Sequence, residues 1–322
     1  SNAFALHKIW GFREGDVLLH ALPIFHVHGL FVATNTTLAN GSSMIFLPRF
    51  DVEEVLRLLP KATVMMGVPT FYVRLLAHPA FTREAATHMR LFISGSAPLL
   101  EETFYAFEER TGQRILERYG MTEAGMITSN PLEGERRAGT VGFPLPDVEV
   151  RVADSEGRIL GTDEIGILEA KGPNIFKGYW RMPEKTAEEF RPDGFFITGD
   201  MAKIDDRGYV HIVGRAKDLI ISGGYNVYPK EIELVIDAQP GVVESAVIGL
   251  PHPDFGEAVA AAVKLTAPGA TDEATLLEAI KGQVAGFKRP KKIFFVEELP
   301  RNTMGKVQKA QLRETYKDTF TT

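Results

Sequence analysis

The sequence predicts an α/β chain: a mostly parallel sheet covered by helices, then a small β-barrel or sheet, then a small α+β domain. Three observations lead there. From Asp16 to about Tyr119, short apolar runs alternate with helical patterns, the alternation that produces parallel sheets. Between residues 139 and 213 the pattern changes to short β segments broken by Gly, Pro and Asp. Beyond Gly214, helical and strand patterns mix again. The expected divisions are therefore 1–138, 139–214 and 215–322.

In the first division, strands are expected over 17–22, 43–47, 63–68, 90–93 and 114–117, with helices over 29–38, 51–59, 69–76 and 101–111. Asp51 suits an N-cap, and Glu54, three residues on, completes a capping-box-like pair. In the last division Pro229 opens a helix that carries Ile232, Val235 and Ile236 at helical spacing. A second helix uses Leu276, Leu277, Ile280 and Val284 and ends at Gly286.

Composition narrows the class of function. The 322 residues are 44% hydrophobic and 24% charged, enough apolar material for a large core in more than one domain. Lys and Arg number 36 against 42 Asp and Glu, a net charge of −6. That mild acidity argues against a nucleic-acid partner, because phosphate backbones favour a basic field. No apolar run nears the roughly 18 residues of a membrane span, and no signal-peptide pattern opens the chain. Without cysteine, neither disulfides nor thiolate metal sites can form. The expectation is a cytoplasmic enzyme acting on small molecules, with no membrane or nucleic-acid partner.

Ligands of open α/β sheets sit beyond the carboxyl ends of the strands. Four unusual sequences follow four of the expected strands: Pro23-Ile-Phe-His-Val-His-Gly29, Gly67-Val-Pro-Thr70, Ser94-Gly-Ser-Ala-Pro98 and Tyr119-Gly-Met-Thr-Glu123. All four should therefore meet along one edge. Tyr119 can stack on a planar base, with Gly120 and Met121 beside it, while Ser96, Ala97 and Pro98 cover the base's other face. Thr122 can donate to a phosphate oxygen. Glu123 can hold Mg²⁺, which prefers hard oxygen ligands shared with substrate phosphates. A nucleoside triphosphate requires all of these together.

These residues resemble the adenylate-forming enzymes, which include acyl-CoA synthetases, luciferases and peptide-synthetase adenylation domains. The resemblance runs from Asp16 to Tyr316 and rests on an ordered set of motifs. Besides Tyr119–Glu123 they are Thr198-Gly-Asp200, Gly214-Arg-Ala-Lys-Asp-Leu-Ile-Ile-Ser-Gly-Gly224, Pro229-Lys-Glu-Ile-Glu233 and Pro300-Arg-Asn-Thr-Met-Gly-Lys306. It implies ATP, Mg²⁺ and coenzyme A as reactants. It implies that Asp200 accepts both ribose hydroxyls, that Arg215 lies near ribose and phosphate, and that Lys217 is the hinge of a mobile small domain. By the same resemblance Gly223 and Gly224 line the pantetheine tunnel, His26 gates the acyl channel, and Lys306 is the catalytic lysine of the first half-reaction. Composition alone would leave Asp200 a turn residue, the two glycines a strand end and Lys306 a surface lysine.

For the acid, His28 and Arg74 are the informative residues, with Ser94 and Gly95 beside them. Arg74 interrupts the apolar stretch Phe71-Tyr-Val-Arg-Leu-Leu76. It is either a solvent-face arginine with a buried stem or the counter-charge of a second carboxylate, held in a bidentate fork. The strand-end sequences are most similar to malonyl-CoA synthetases, which implies malonate, with methylmalonate next. One motif is absent: the Thr-Ser-Gly-Thr-Thr-Gly…Lys phosphate loop, which should precede Asp16. The chain is expected to be the C-terminal portion of a synthetase, holding part of the large domain. The competing expectations are an adenylation unit for another acid or a carrier protein, a luciferase-like oxygenase, and a non-catalytic nucleotide-binding fragment.

Overall fold

The computed structural model describes residues 1–302 and 305–320. Its large sheet contains β1 (Val17–His20), β2 (Ser43–Phe46), β3 (Val64–Gly67), β4 (Leu91–Ser94), β5 (Leu116–Met121), β6 (Gly125–Ser129) and β7 (Phe143–Pro144). Their spatial order is β2-β1-β3-β4-β5-β6-β7. Pairing is parallel from β2 through β5: Leu19 lies beside Ile45 and Met65, Met66 beside Ile93, and Ser94 beside Glu117. Both β3 and β4 are buried throughout, which explains why they read as continuous apolar runs rather than alternating ones. The carboxyl ends of β1, β3, β4 and β5 consequently share one edge.

The first unit's helices, α1 (Asn2–Ile9), α2 (Asn35–Ala39), α3 (Val52–Leu58), α4 (Pro69–Ala77) and α5 (Glu101–Thr111), accompany these strands. Asp51 does cap α3, accepting the Glu54 N–H at 3.0 Å, but the Glu54 carboxylate turns to Arg57 instead of closing the box. The expected helix over 29–38 is wound differently. His28–Thr34 forms a π-helix, a rare winding frequent at functional sites, and only Asn35–Ala39 is α-helical. Tyr72 of α4 and Phe107 of α5 meet edge-on at 5.5 Å in the core, beside Phe92 of β4.

Most of residues 139–214 packs in one unit with residues 1–138. β8 (Glu149–Ala153), β9 (Gly166–Lys171), β10 (Phe196–Ile204) and β11 (Val210–Arg215) form a four-stranded sheet, with α6 (Pro183–Glu188) in the loop before β10. By packing, the chain divides into Ser1–Thr198 with Ala202–Ile212, and Gly199–Met201 with Val213–Thr322.

The second unit holds β12 (Ile220–Ser222), β13 (Tyr225–Val227), β14 (Val242–His252), β15 (Gly256–Leu265) and β16 (Lys292–Val296) with α7 (Pro229–Asp237), α8 (Glu273–Ala279) and α9 (Lys309–Tyr316). Strands β14 and β15 pair antiparallel from Val242 opposite Leu265 to His252 opposite Gly256, and β16 joins β15 in parallel. Strand alternation sends Val247, Val259 and Ala261 to one side, under Ile232, Ile236, Leu276 and Ile280. Ile248, Ala260 and Ala262 face the other way, under Leu299 and Leu312. The helix expected to run through Val284 stops at Ala279, because Gly282 takes a left-handed conformation (φ +90°) that an α-helix does not admit. Val284 is buried all the same. Among the described residues no helix is long and apolar enough to cross a membrane.

Asp237 ends α7 in an unfavourable place. Ser245 Oγ donates to its Oδ1 at 2.7 Å, but burial, aided by the charges of Glu233 and Glu244, pushes its carboxyl up to about 7. The folded state therefore retains a proton that the unfolded chain releases near pH 4, so this group's contribution is full at low pH and is lost as pH rises toward about 7. Asp237→Asn should flatten that decline. Unfolding midpoints measured from pH 4 to 8 would show it; parallel profiles for the two proteins would rule it out.

Candidate active site

Four strand ends bring the site together, and its centre is a side chain that periodicity did not single out. Arg118 lies in β5, 2% exposed, with Nε and Nη2 lacking any hydrogen-bond partner among the described residues. Its guanidinium lies against Gly95: a Cβ built there would stand 2.3 Å from Nη1, so a larger residue would displace the guanidinium. Burial lowers the Arg118 pKa to about 10, against the opposing influence of Tyr72 and Glu117. An ion buried without a partner costs several kcal/mol. A built-in cation of this kind calls for an anion.

Its neighbours are equally unfinished. His28, fully buried at the start of the π-helix, has Nδ1 3.1 Å from Ser96 Oγ, while its Nε2 has no partner among the described residues. Ser94 Oγ, at the end of β4, is buried in the same state. Ser96 takes a left-handed backbone (φ +71°), strained for a non-glycine residue. Burial, then the Arg118 charge, holds His28 well below the usual histidine range. His26 is half-buried; its Nδ1 accepts the His28 N–H at 3.2 Å, and its pKa is lowered by the same two causes.

Arg74 requires a correction. Tyr72 and Leu75 turn inward from α4, which leaves Arg74 exposed. The arginine beside the buried histidine is Arg118. The signal was present in the sequence: a Glu-Arg pair inside a central strand, where both faces are buried, is out of place unless it has work to do.

Tyr119 to Glu123 also sits differently from the strand end expected for it. β5 continues through Met121 and turns into β6 as a hairpin, and Gly120 is required because a Cβ there would lie 2.1 Å from the Gly125 carbonyl oxygen. Thr122 is exposed at the turn and Glu123 half-buried. Tyr179, which sequence reasoning missed, donates its hydroxyl to Glu123 Oε1 at 3.1 Å. Among the described residues no three His, Asp or Glu side chains gather as a metal cluster. A single half-exposed carboxylate fits Mg²⁺ only if substrate oxygens and water complete the shell, which is that ion's habit.

A second group forms within the second unit. Asp200, 3% exposed, receives the Arg215 Nε at 3.0 Å. Lys306 belongs with them: burial and the Arg215 charge lower its pKa, and Asp200 opposes the shift. Lys217 and Asp218 form a short 3₁₀ turn, with Asp218 tied to Arg313 at 2.7 Å. Gly223 and Gly224 make the two-residue turn between β12 and β13, both with positive φ, the usual demand of a tight hairpin. Thr303 and Met304, in the middle of the Pro300–Lys306 motif, lie outside the described residues.

The model of the AMP-binding enzyme family matches residues 1–180, and that of the AMP-binding enzyme C-terminal domain matches residues 231–306. A malonate–CoA ligase of Arabidopsis thaliana is 39% identical over 346 residues, taking in 98% of this chain and 56% of the relative. A long-chain-fatty-acid–CoA ligase of Bacillus subtilis is 37% identical over 307 residues, covering 94% of this chain and 55% of its own. The crystal structure of ATP-bound MatB from Rhodopseudomonas palustris matches 99% of this chain and 64% of its own, at 62% identity and a TM-score of 0.97. The chain thus spans between half and two thirds of the length of these proteins.

His28 should stay neutral while ordinary histidines titrate. Its imidazole ¹⁵N shifts should hold constant as pH falls through about 6.5, where a free histidine changes. The unfolded chain takes up that proton first, so this group costs stability as pH falls below about 6.5. A His28 titration near 6.5 would mean that neither its burial nor the Arg118 charge acts as described.

Proposed function

We propose, for a chain that belongs to the AMP-binding enzyme family, that the full-length protein is an acid–CoA ligase for malonate or a close dicarboxylate such as methylmalonate. It acts in the cytoplasm on malonate, ATP and CoA. The observation that carries this reading is the buried Arg118 guanidinium, two of whose nitrogens lack a partner among the described residues, and whose charge acts on the buried His28. The named activity of the Arabidopsis relative and the 62% identity to MatB support it.

In the first half-reaction a malonate carboxylate oxygen attacks the α-phosphorus of ATP, the bond to the β-phosphate oxygen breaks, and pyrophosphate leaves. Arg118 takes the distal carboxylate in a bidentate fork. When the Ser96 hydroxyl donates to Nδ1, neutral His28 carries its proton on Nε2 and donates it to the same carboxylate. That pairing keeps the distal carboxylate from competing as the nucleophile. Tyr119 and the Ser96–Pro98 turn hold the base, Asp200 takes the ribose hydroxyls, and Thr122 donates to phosphate. Mg²⁺, when bound at Glu123, supplies charge neutralisation for the phosphates. Lys306 and Arg215 bring positive charge to the α-phosphate and the acyl oxygen as negative charge develops there. In the second half-reaction the CoA thiol attacks the acyl carbon, AMP leaves, and the thiol proton passes to solvent. The Gly223–Gly224 turn accommodates the pantetheine arm, and Lys217 is the pivot between the two steps.

Removing the partner of a buried charge costs about 3–5 kcal/mol. Arg118→Met should therefore lower kcat/KM for malonate about a thousand-fold, at 1.36 kcal/mol per tenfold, and leave propionate unharmed. Arg118→Lys should recover part of the loss, because it keeps the charge but not the fork. Arg74→Ala, a change on an exposed face, should cost less than about ten-fold. Thioester formation across this acid series decides the matter. A large loss from Arg74→Ala with little from Arg118→Met would transfer the role to Arg74.

Lys306→Ala should slow adenylate formation by about 10²–10³ and spare thioester formation from supplied malonyl-adenylate. Pyrophosphate release and thioester appearance, followed separately, report the two steps. Equal damage to both would remove Lys306 from the first one.

A further inference from the structure

The Glu123 turn is gripped by a segment that none of the site motifs includes. Four hydrogen bonds from residues 174–179 converge on it. Asn174 Nδ2 donates to the carbonyl oxygens of Ala124 and Met126, at 2.8 and 3.0 Å. The Phe176 N–H donates to the Glu123 carbonyl oxygen at 2.8 Å. The Tyr179 hydroxyl donates to Glu123 Oε1 at 3.1 Å.

The tyrosine is itself anchored. Its N–H donates to Thr186 Oγ1 at 2.9 Å, and its ring meets Phe176 edge-on at 4.8 Å. Phe176 packs in turn on Phe190 and Phe196. The hydroxyl therefore reaches Glu123 from a fixed aromatic platform. A glutamate has three side-chain torsions and would otherwise sample many positions in a half-exposed turn.

We propose that Tyr179 is a positioning residue for Glu123: by occupying Oε1 it fixes the carboxylate so that Oε2 faces the divalent cation of the nucleotide complex. The inference rests on the reading of Glu123 as the magnesium carboxylate. Partners of metal-binding carboxylates commonly act this way, and losing one weakens metal affinity by about 10–100-fold.

Tyr179→Phe tests it, because the ring stays in the aromatic platform and only the hydroxyl goes. With the full-length protein and ATP, Mn²⁺ binding is read from the loss of the free-ion EPR signal, for wild type, Tyr179→Phe, Glu123→Gln and the double variant. Tyr179→Phe should weaken Mn²⁺ about ten-fold and leave metal-free AMP binding and the melting temperature unchanged. The double variant should bind Mn²⁺ no more weakly than Glu123→Gln alone. Weakening by Glu123→Gln but not by Tyr179→Phe overturns this inference and leaves the metal assignment standing, as would additive losses in the double variant. No change on Glu123→Gln overturns the metal assignment itself. A loss of AMP binding or of melting temperature in Tyr179→Phe would make the tyrosine a structural residue of the hairpin.

Discussion

The first unit's site depends on one guanidinium held out of water. Arg118 is seated in a central strand, against the bare Cα of Gly95, where two of its nitrogens find no partner among the described residues. Such an arrangement lowers stability in the absence of ligand, since burying an unpaired ion costs several kcal/mol. A fold accepts that cost only where something else supplies the counter-charge. Once the cation is fixed, its surroundings follow. The guanidinium occupies the space a side chain at position 95 would take, burial and the adjacent charge disfavour protonation of His28, and Ser96 bends into a strained backbone beside the histidine. A neutral imidazole next to a permanent cation makes a receptor of net charge +1, suited to a single carboxylate.

The second unit is built on a different principle. Asp200, Arg215 and Lys306 form an interacting set of one acid and two bases, in which the aspartate offsets the repulsion between the two cations. A lysine whose ammonium is partly desolvated and already beside an arginine is primed to bind anionic oxygen. Both units thus hold buried or partly buried positive charge. The carboxylate of Glu123, steadied by Tyr179, is the negative element of the first unit's site, where a cation is called for instead.

Much of this was legible in the sequence, and what was missed has identifiable physical causes. Strand–helix alternation located β1 to β4 to within a residue or two, because buried parallel strands read as apolar runs such as Val64-Met-Met and Leu91-Phe-Ile, while β5 runs four residues past its expected end. The convergence of four polar motifs on one edge followed from parallel pairing alone. Arg118 escaped notice because, between Glu117 and Tyr119, its charge reads as part of a polar turn unless β5 is recognised as a buried central strand; Arg74 drew notice because apolar residues surround it in the chain. What separates them is facing rather than neighbourhood: α4 turns Arg74 outward, while Arg118 is buried. The π-helix at His28–Thr34 and the contact between Tyr179 and Glu123, 56 residues apart, arise from tertiary packing and leave no periodic trace. Gly282 could have been weighed against the expected extension of α8, since a glycine inside a helical pattern often ends it.

The most direct test of the account is a crystal structure of the full-length protein with malonate bound. The distal carboxylate should lie within about 2.7–3.2 Å of Arg118 Nε and Nη2, with His28 Nε2 on one of its oxygens and Arg74 remote. A carboxylate held by Arg74, or left to solvent while the two Arg118 nitrogens stay unpartnered, would contradict it.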